Sequence, residues 1–179
     1  MSLSILVTVG SDYHPFNRLV GGVERWLGQP SAAGLEVLFQ YGTADRPGRG
    51  ECHDYLAHDE LIDRLSSSDI VVTQGGPMGI LEVRRCGRIP IVMPRLHDLG
   101  EVVDDHQVAF CRQLASTGDI VLVENEDELV EALDKAVADP TRLVLTGSTG
   151  DTDARPAVEA FARAVELLPP RRRNRWRRR

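Results

Sequence analysis

Short, unbroken apolar runs recur along the chain with helical patterns between them, and this alternation constrains the fold more than any other feature. "SILVTVG" (4–10), "LEVLFQYG" (35–42), "DIVVTQ" (69–74), "IPIVMP" (89–94) and "DIVLV" (119–123) read as strands, with at most one more short strand in "GRGECHDYL" (48–56). Strands that are apolar at successive positions are buried on both faces, as in a parallel sheet. After Pro15, which suits a first helical position, Phe16, Leu19, Val20, Val23 and Leu27 fall at helical spacing. "HDELIDRLSSS" (58–68), "GILEVRRCG" (79–87), "DDHQVAFCRQLASTG" (104–118) and "EDELVEALDKAVAD" (126–139) are further helices, two of them stopped by Gly87 and Gly118. A loop over 140–155 and a last helix, "PAVEAFARAVELL" (156–168), complete the pattern. The expectation is an α/β fold: a Rossmann-like, doubly wound parallel sheet of about six strands. Its 179 residues suit one domain, over 1–168, with an Arg-rich tail at 169–179.

Ligands of such sheets bind beyond the carboxyl ends of the strands. Three segments with unusual polar chemistry follow strands there: Ser11–His14, Gln74–Gly79 and Arg95–Gln107. The middle one contains "GGPMG" (75–79) at the mouth of a helix. A helix N-terminus carries unpaired amides and partial positive charge, which suits a phosphate. With Pro77 as the first helical residue, the amides of Met78 and Gly79 are left free for an anion; a tight turn that needs glycine for packing alone is the competing explanation. The dinucleotide fingerprint is missing after strand one, which reads "VGSDYHPF", no acid closes strand two, and no P-loop is present. These absences disfavour a nicotinamide-dependent oxidoreductase. Glu82, one turn into the helix, is placed for ribose hydroxyls or, alternatively, for Arg85 at i+3. In "PRLHDLGEVVDDHQ" (94–107), Asp104 and Gln107 have capping-box spacing. His97, Glu101, Asp105 and His106 are dense there, but no metal-ligand spacing is specific.

Taken together, "ILVTVGSDYHPFNRLV", "GGPMGILEVRRCGRIPIVMPR" and "GEVVDDHQ" resemble the C-terminal, donor-binding half of family 28 glycosyltransferases, from about residue 4 to 135. Within that family the chain looks like the small soluble subunits of two-subunit N-acetylglucosaminyltransferases, of the dolichol-pathway and bacterial exopolysaccharide types. The resemblance implies a single GT-B half-domain, a UDP-sugar donor and inverting transfer without a metal or other cofactor. It implies that Gly75, Gly76, Met78 and Gly79 surround the diphosphate, largely through backbone amides, with Ser11 adding a hydroxyl. Glu82 would take the ribose, Leu56 the uracil through its backbone, and Gln107, with His106 and Asp105, the sugar hydroxyls; Arg95 belongs to the same donor-binding set. His14 is the candidate base, with a helix N-cap before Pro15 as its plain alternative. The acceptor, lipid-linked or a glycan, would come with a separate membrane-anchored subunit. A non-catalytic nucleotide-sugar-binding or scaffold subunit is the alternative function, and the isolated chain has a homodimer as one way to cover its open face.

Charge is uneven. The tail "PPRRRNRWRRR" holds seven of the 21 basic residues, leaving 14 against 27 acids in 1–168, a body of −13. So acidic a body argues against nucleic acid as the main partner, whereas the tail suits an anionic membrane face. Cys52, Cys86 and Cys111 are scattered, as expected of free thiols in a reducing compartment. With no signal-like N-terminal run, the expected location is the cytoplasm, peripheral at the inner membrane face. Gly21 and Gly22, inside the first helix, suggest a close approach by a partner.

Overall fold

The structure, a computed structural model, describes residues 2–145; the expected last helix and the Arg-rich tail lie outside the described residues. Six parallel strands form one sheet: β1 (Ser4–Thr8), β2 (Glu36–Gln40), β3 (Glu51–His53), β4 (Ile70–Gln74), β5 (Ile91–Met93) and β6 (Val121–Leu122). Five helices connect and cover them: α1 (Asn17–Leu27), α2 (His58–Ser67), α3 (Pro77–Arg85), α4 (His106–Ser116) and α5 (Glu126–Ala138). The strand order is β3-β2-β1-β4-β5-β6. The chain therefore winds one way from β1 to β3 and the other way from β4 to β6, and the switch point falls between β1 and β4.

The continuous apolar strands are explained by this arrangement. In β1, Ile5 and Val7 face one layer with Val37, Phe39, Ile70 and Val72, while Leu6 faces the other with Leu38, Leu65, Val71 and Val83. Ile80, Val92, Phe110 and Leu114 form a third cluster under α3 and α4. Every one of these is almost wholly removed from water, at roughly 25 cal/mol per Å² of apolar surface.

Three local expectations are corrected. Pro15 is not the first helical residue: α1 starts at Asn17 with Phe16 as its cap, so His14 is not an N-cap either. Asp104 and Gln107 do not form a capping box. The cap of α4 is Asp105, without a side-chain hydrogen bond; Asp104 accepts from the His106 amide at 3.3 Å, and Gln107 accepts from the Arg95 amide at 3.2 Å. The close approach at Gly22 is internal, since a Cβ there would lie 2.9 Å from Leu129 Cδ2 on α5, whereas Gly21 faces open space. The expected loop after Pro140 opens with a 3-10 turn over Pro140–Leu143. By contrast, α5 has a true cap: Asn125 accepts from the Glu128 amide at 2.9 Å, and Glu128 accepts in return from the Glu124 amide at 2.7 Å.

Candidate functional site: a crevice at the switch point

Because all six strands are parallel, the loops after β1, β4 and β5 emerge on one edge, and the three polar segments singled out in the sequence do converge. A cavity of about 410 Å³ opens there between the β1 and β4 loops, within the usual range for a small-molecule site. Ser11, Leu56, Gly76, Met78, Gly79 and Glu82 all line it. A hollow of about 320 Å³ between β6 and α5, and a shallow one of about 700 Å³ at the N-terminal ends of β1 and β2, lie away from this edge.

The mouth of α3 forms one wall. Gly76 is its N-cap, with extended backbone and no side-chain cap, and Pro77 follows at the first position. The amides of Met78 and Gly79 therefore have no acceptor within the helix or from a cap side chain. The three glycines do not share one reason. A Cβ on Gly75 would lie 2.8 Å from Cys111 Sγ and 3.2 Å from Pro94 Cα, and one on Gly76 would run into the Gln74 side-chain amide. Gly75 is a packing glycine, held against backbone, whereas at Gly76 the neighbour is the far end of the flexible Gln74 side chain, which can give way, and Gly76 itself lines the crevice. At Gly79 a Cβ would meet only Thr73 Oγ1, at an ordinary 3.6 Å, so packing does not explain it.

The floor is polar and was not foreseen. Thr8 donates to Gln40 Oε1 at 2.5 Å, and Gln40 Nε2 donates to the carbonyls of Gly10 and Asp54 at 3.0 Å each. The Gln74 amide lies against Gly10, whose φ of +74° turns the chain away from β1. Tyr55 and His58 complete the side wall. Glu82, mostly shielded, faces His58 Nδ1 at 3.8 Å rather than Arg85. The only sequence signal for Thr8, Gln40 and Gln74 was position: each is a polar residue ending an apolar strand.

Arg95 does not face the crevice, which corrects its place in the donor-binding set. It is 0% exposed. Its Nη1 donates to the carbonyls of His14 (2.7 Å) and Glu101 (3.0 Å), its Nη2 to that of Val9 (2.9 Å), and its guanidinium lies 4.6 Å over the Phe16 ring. Burial pulls its pKa down, with Asp12 and Glu101 opposing. It ties the β1 loop to the β5 loop. Arg18 does the same through a two-pronged pair with buried Glu101 (3.0 and 2.8 Å) and a bond to the Pro94 carbonyl. Gly75 is buried behind the crevice wall, against Gln107 and Cys111. Burial pushes the Cys111 thiol up to about 12. Asp105 and His106, at the head of α4, likewise do not line the cavity; Asp105 accepts from the His97 amide at 3.1 Å. His14 sits three residues beyond Ser11, with its ring Nδ1 2.6 Å from Asp12 Oδ1.

Comparison with known proteins agrees with this geometry. Residues 4–165 match the glycosyltransferase family 28 C-terminal domain. The UDP-N-acetylglucosamine–N-acetylmuramyl-(pentapeptide) pyrophosphoryl-undecaprenol N-acetylglucosamine transferase of Geobacter metallireducens is 32% identical over 112 residues, 60% of this chain and 30% of that protein. Its counterpart in Geobacter sulfurreducens is 31% identical over 118 residues, 63% of this chain and 31% of that protein. The chain thus spans about a third of the length of these curated relatives. Among solved structures, Acinetobacter baumannii MurG superposes with a TM-score of 0.55 at 19% identity, over 90% of this chain and 46% of that one. The kitacinnamycin glycotransferase gives 0.57 at 20%, over 92% and 40%. At such identities the two structures speak for a shared GT-B half-domain fold. With a family match over most of its length, this chain belongs to the glycosyltransferase family 28 C-terminal domain family.

Proposed function

We propose that the chain binds a UDP-sugar, of the UDP-N-acetylglucosamine class, and transfers the sugar with inversion to an acceptor held by a separate, membrane-associated polypeptide. One observation carries the reading: an uncapped helix N-terminus, with the Met78 and Gly79 amides free of helical acceptors, opens on a crevice that also holds Ser11 and Glu82. A diphosphate satisfies the amides and the partial charge. Ser11 adds a hydroxyl. Glu82 accepts from the ribose hydroxyls, and the backbone at Leu56 meets the uracil. Gln107, His106 and Asp105, at the head of α4, are assigned to the sugar. The α3 N-terminus takes up the charge of the departing UDP, so the reading needs no metal. His14 is the base for the attacking hydroxyl. The relatives are named as acting on a pyrophosphoryl-undecaprenol acceptor, which supports a lipid-linked acceptor here.

The test is calorimetric titration of the chain with UDP, UDP-N-acetylglucosamine, UDP-glucose and NAD. UDP compounds are expected to bind, and Glu82→Ala to weaken them about tenfold or more, the loss of a charge-assisted hydrogen bond. Tight NAD binding, or UDP binding indifferent to Glu82, overturns the assignment.

A further inference from the structure

We propose that Asp12 is the positioning residue for His14, and that the two form a dyad whose free ring nitrogen, Nε2, takes the proton of the attacking hydroxyl. The inference rests on the donor-site reading above and adds a residue to it.

Three residues hold His14 in place, through its backbone and its ring. Asp12 Oδ1 accepts from the His14 backbone amide at 2.9 Å and lies 2.6 Å from His14 Nδ1. The first bond is an ordinary Asx turn; a turn does not require the second. From the other side, Arg95 donates to the His14 carbonyl at 2.7 Å. The Tyr13 ring lies over the imidazole, centroids 4.0 Å apart and planes tilted by 31°. Nε2 has no hydrogen-bond partner among the described residues, and the side chain is mostly shielded, 18% exposed. The loop that carries the pair begins with Gly10 and Ser11, both in the crevice wall.

The charges around the ring support a base. Asp12 is the facing carboxylate and Arg95 the facing cation, with Tyr13 on the ring face. Burial pushes the Asp12 carboxyl up, but the hydrogen bonds from the His14 backbone and ring, with the fields of Arg95 and His14, more than offset this and hold it below its ordinary value. Asp12 is therefore an anion at neutral pH. An anion at Nδ1 keeps the proton on that nitrogen in neutral His14, leaving the Nε2 lone pair open, and it stabilises the imidazolium once formed. In the step itself, the hydroxyl oxygen bonds to the sugar's anomeric carbon. The bond from that carbon to the β-phosphate oxygen breaks, its electron pair leaves with UDP, and the hydroxyl proton goes to Nε2.

The first measurement is the tautomer of His14, by two-bond ¹⁵N–¹H correlation on the ¹⁵N-histidine-labelled chain. The unaltered protein is expected to carry the neutral proton on Nδ1. Asp12→Ala moves it to Nε2, and Asp12→Asn, which keeps an acceptor oxygen in the turn, restores Nδ1. The second is release of UDP from UDP-N-acetylglucosamine with water as the nucleophile. Asp12→Ala and His14→Ala each lower it roughly 100-fold, not additively when combined, while UDP affinity by calorimetry stays within twofold. Asp12→Asn restores the tautomer but not the charge, and recovers only part of the rate. An Nε2-protonated His14 in the unaltered chain overturns the dyad. So does undiminished release in Asp12→Ala, or an unaltered chain that releases no UDP above the buffer rate. Absence of UDP binding by the unaltered chain overturns the donor-site reading instead, and is read independently of the tautomer.

Discussion

Gly79 is the residue on which the proposed anion site depends most sharply. It sits inside a helix, where glycine is about 1 kcal/mol less favourable than alanine, and a Cβ would fit at 3.6 Å from Thr73 Oγ1. Gly79→Ala is therefore expected to raise the melting temperature by a few degrees and to weaken UDP binding, since the methyl crowds the diphosphate. Gly75→Ala does the opposite: it forces Cys111 and the Pro94 backbone apart and costs about 1–3 kcal/mol in urea unfolding. If both substitutions acted alike, the distinction between packing and binding glycines would fail. Asp12 gives the residue-scale pH dependence. Its folded pKa is depressed, so its stabilising contribution is present above the ordinary carboxylate value and is lost as pH falls through the folded one. The melting-temperature gap between the unaltered chain and Asp12→Asn should then be widest near neutrality and close in acid. The sequence named Ser11, Glu82 and Gly79 because their chemistry and position are local facts. It misplaced Arg95 because an arginine after a strand looks the same whether it faces a ligand or is buried under three carbonyls.

At the scale of elements, the site is held by loops rather than by the sheet. The β1, β5 and β6 connections meet around Arg18, whose guanidinium bonds Glu101 and the carbonyls of Pro94 and Glu124, at 2.7 and 3.1 Å respectively. Glu101 also accepts from the Leu96 amide at 2.9 Å, folding the 96–101 turn back on itself. With 14% and 7% exposure the pair is close to buried. Removing one member leaves an uncompensated charge, so Glu101→Ala is expected to cost about 3 kcal/mol. Hydrogen exchange at Leu96 and the His14 region should speed up with it. Faster exchange confined to 96–105 would show that the β1 loop is held by Arg95 alone. Helix limits were legible where capping is local, as at Gly87 and Gly118, each near φ +76°. They were not legible at Pro15 and Asp104, where contacts from distant segments, Arg95 to His14 and Arg95 to Gln107, set the loop paths.

For the whole molecule, the separation of charge matters most. A body of −13 and a tail of +7 do not distribute evenly at an anionic surface. Each basic residue near such a leaflet contributes about 1 kcal/mol, screened within a Debye length. The chain is expected to co-sediment with anionic vesicles at low salt and to come off at high salt, and removal of 169–179 should abolish the binding. No binding at low salt would sink the membrane role of the tail. Among the described residues no helix is long and apolar enough to cross a bilayer.

The sequence by itself determined the layering of this protein. Apolar residues at successive strand positions demand cover on both faces, and helical spacing between them supplies it, so a doubly wound sheet follows from patterns only a few residues wide. Only the tertiary structure decided the strand order that sets β1 beside β4, and with it the crevice. Strand order depends on contacts between segments far apart in the chain, which no local pattern encodes. The same reason separates Gly79 from Gly75, and Glu82 from Arg95. Their residue types fit a ligand site equally well, and only the neighbours brought in by the fold decide which of them faces the crevice.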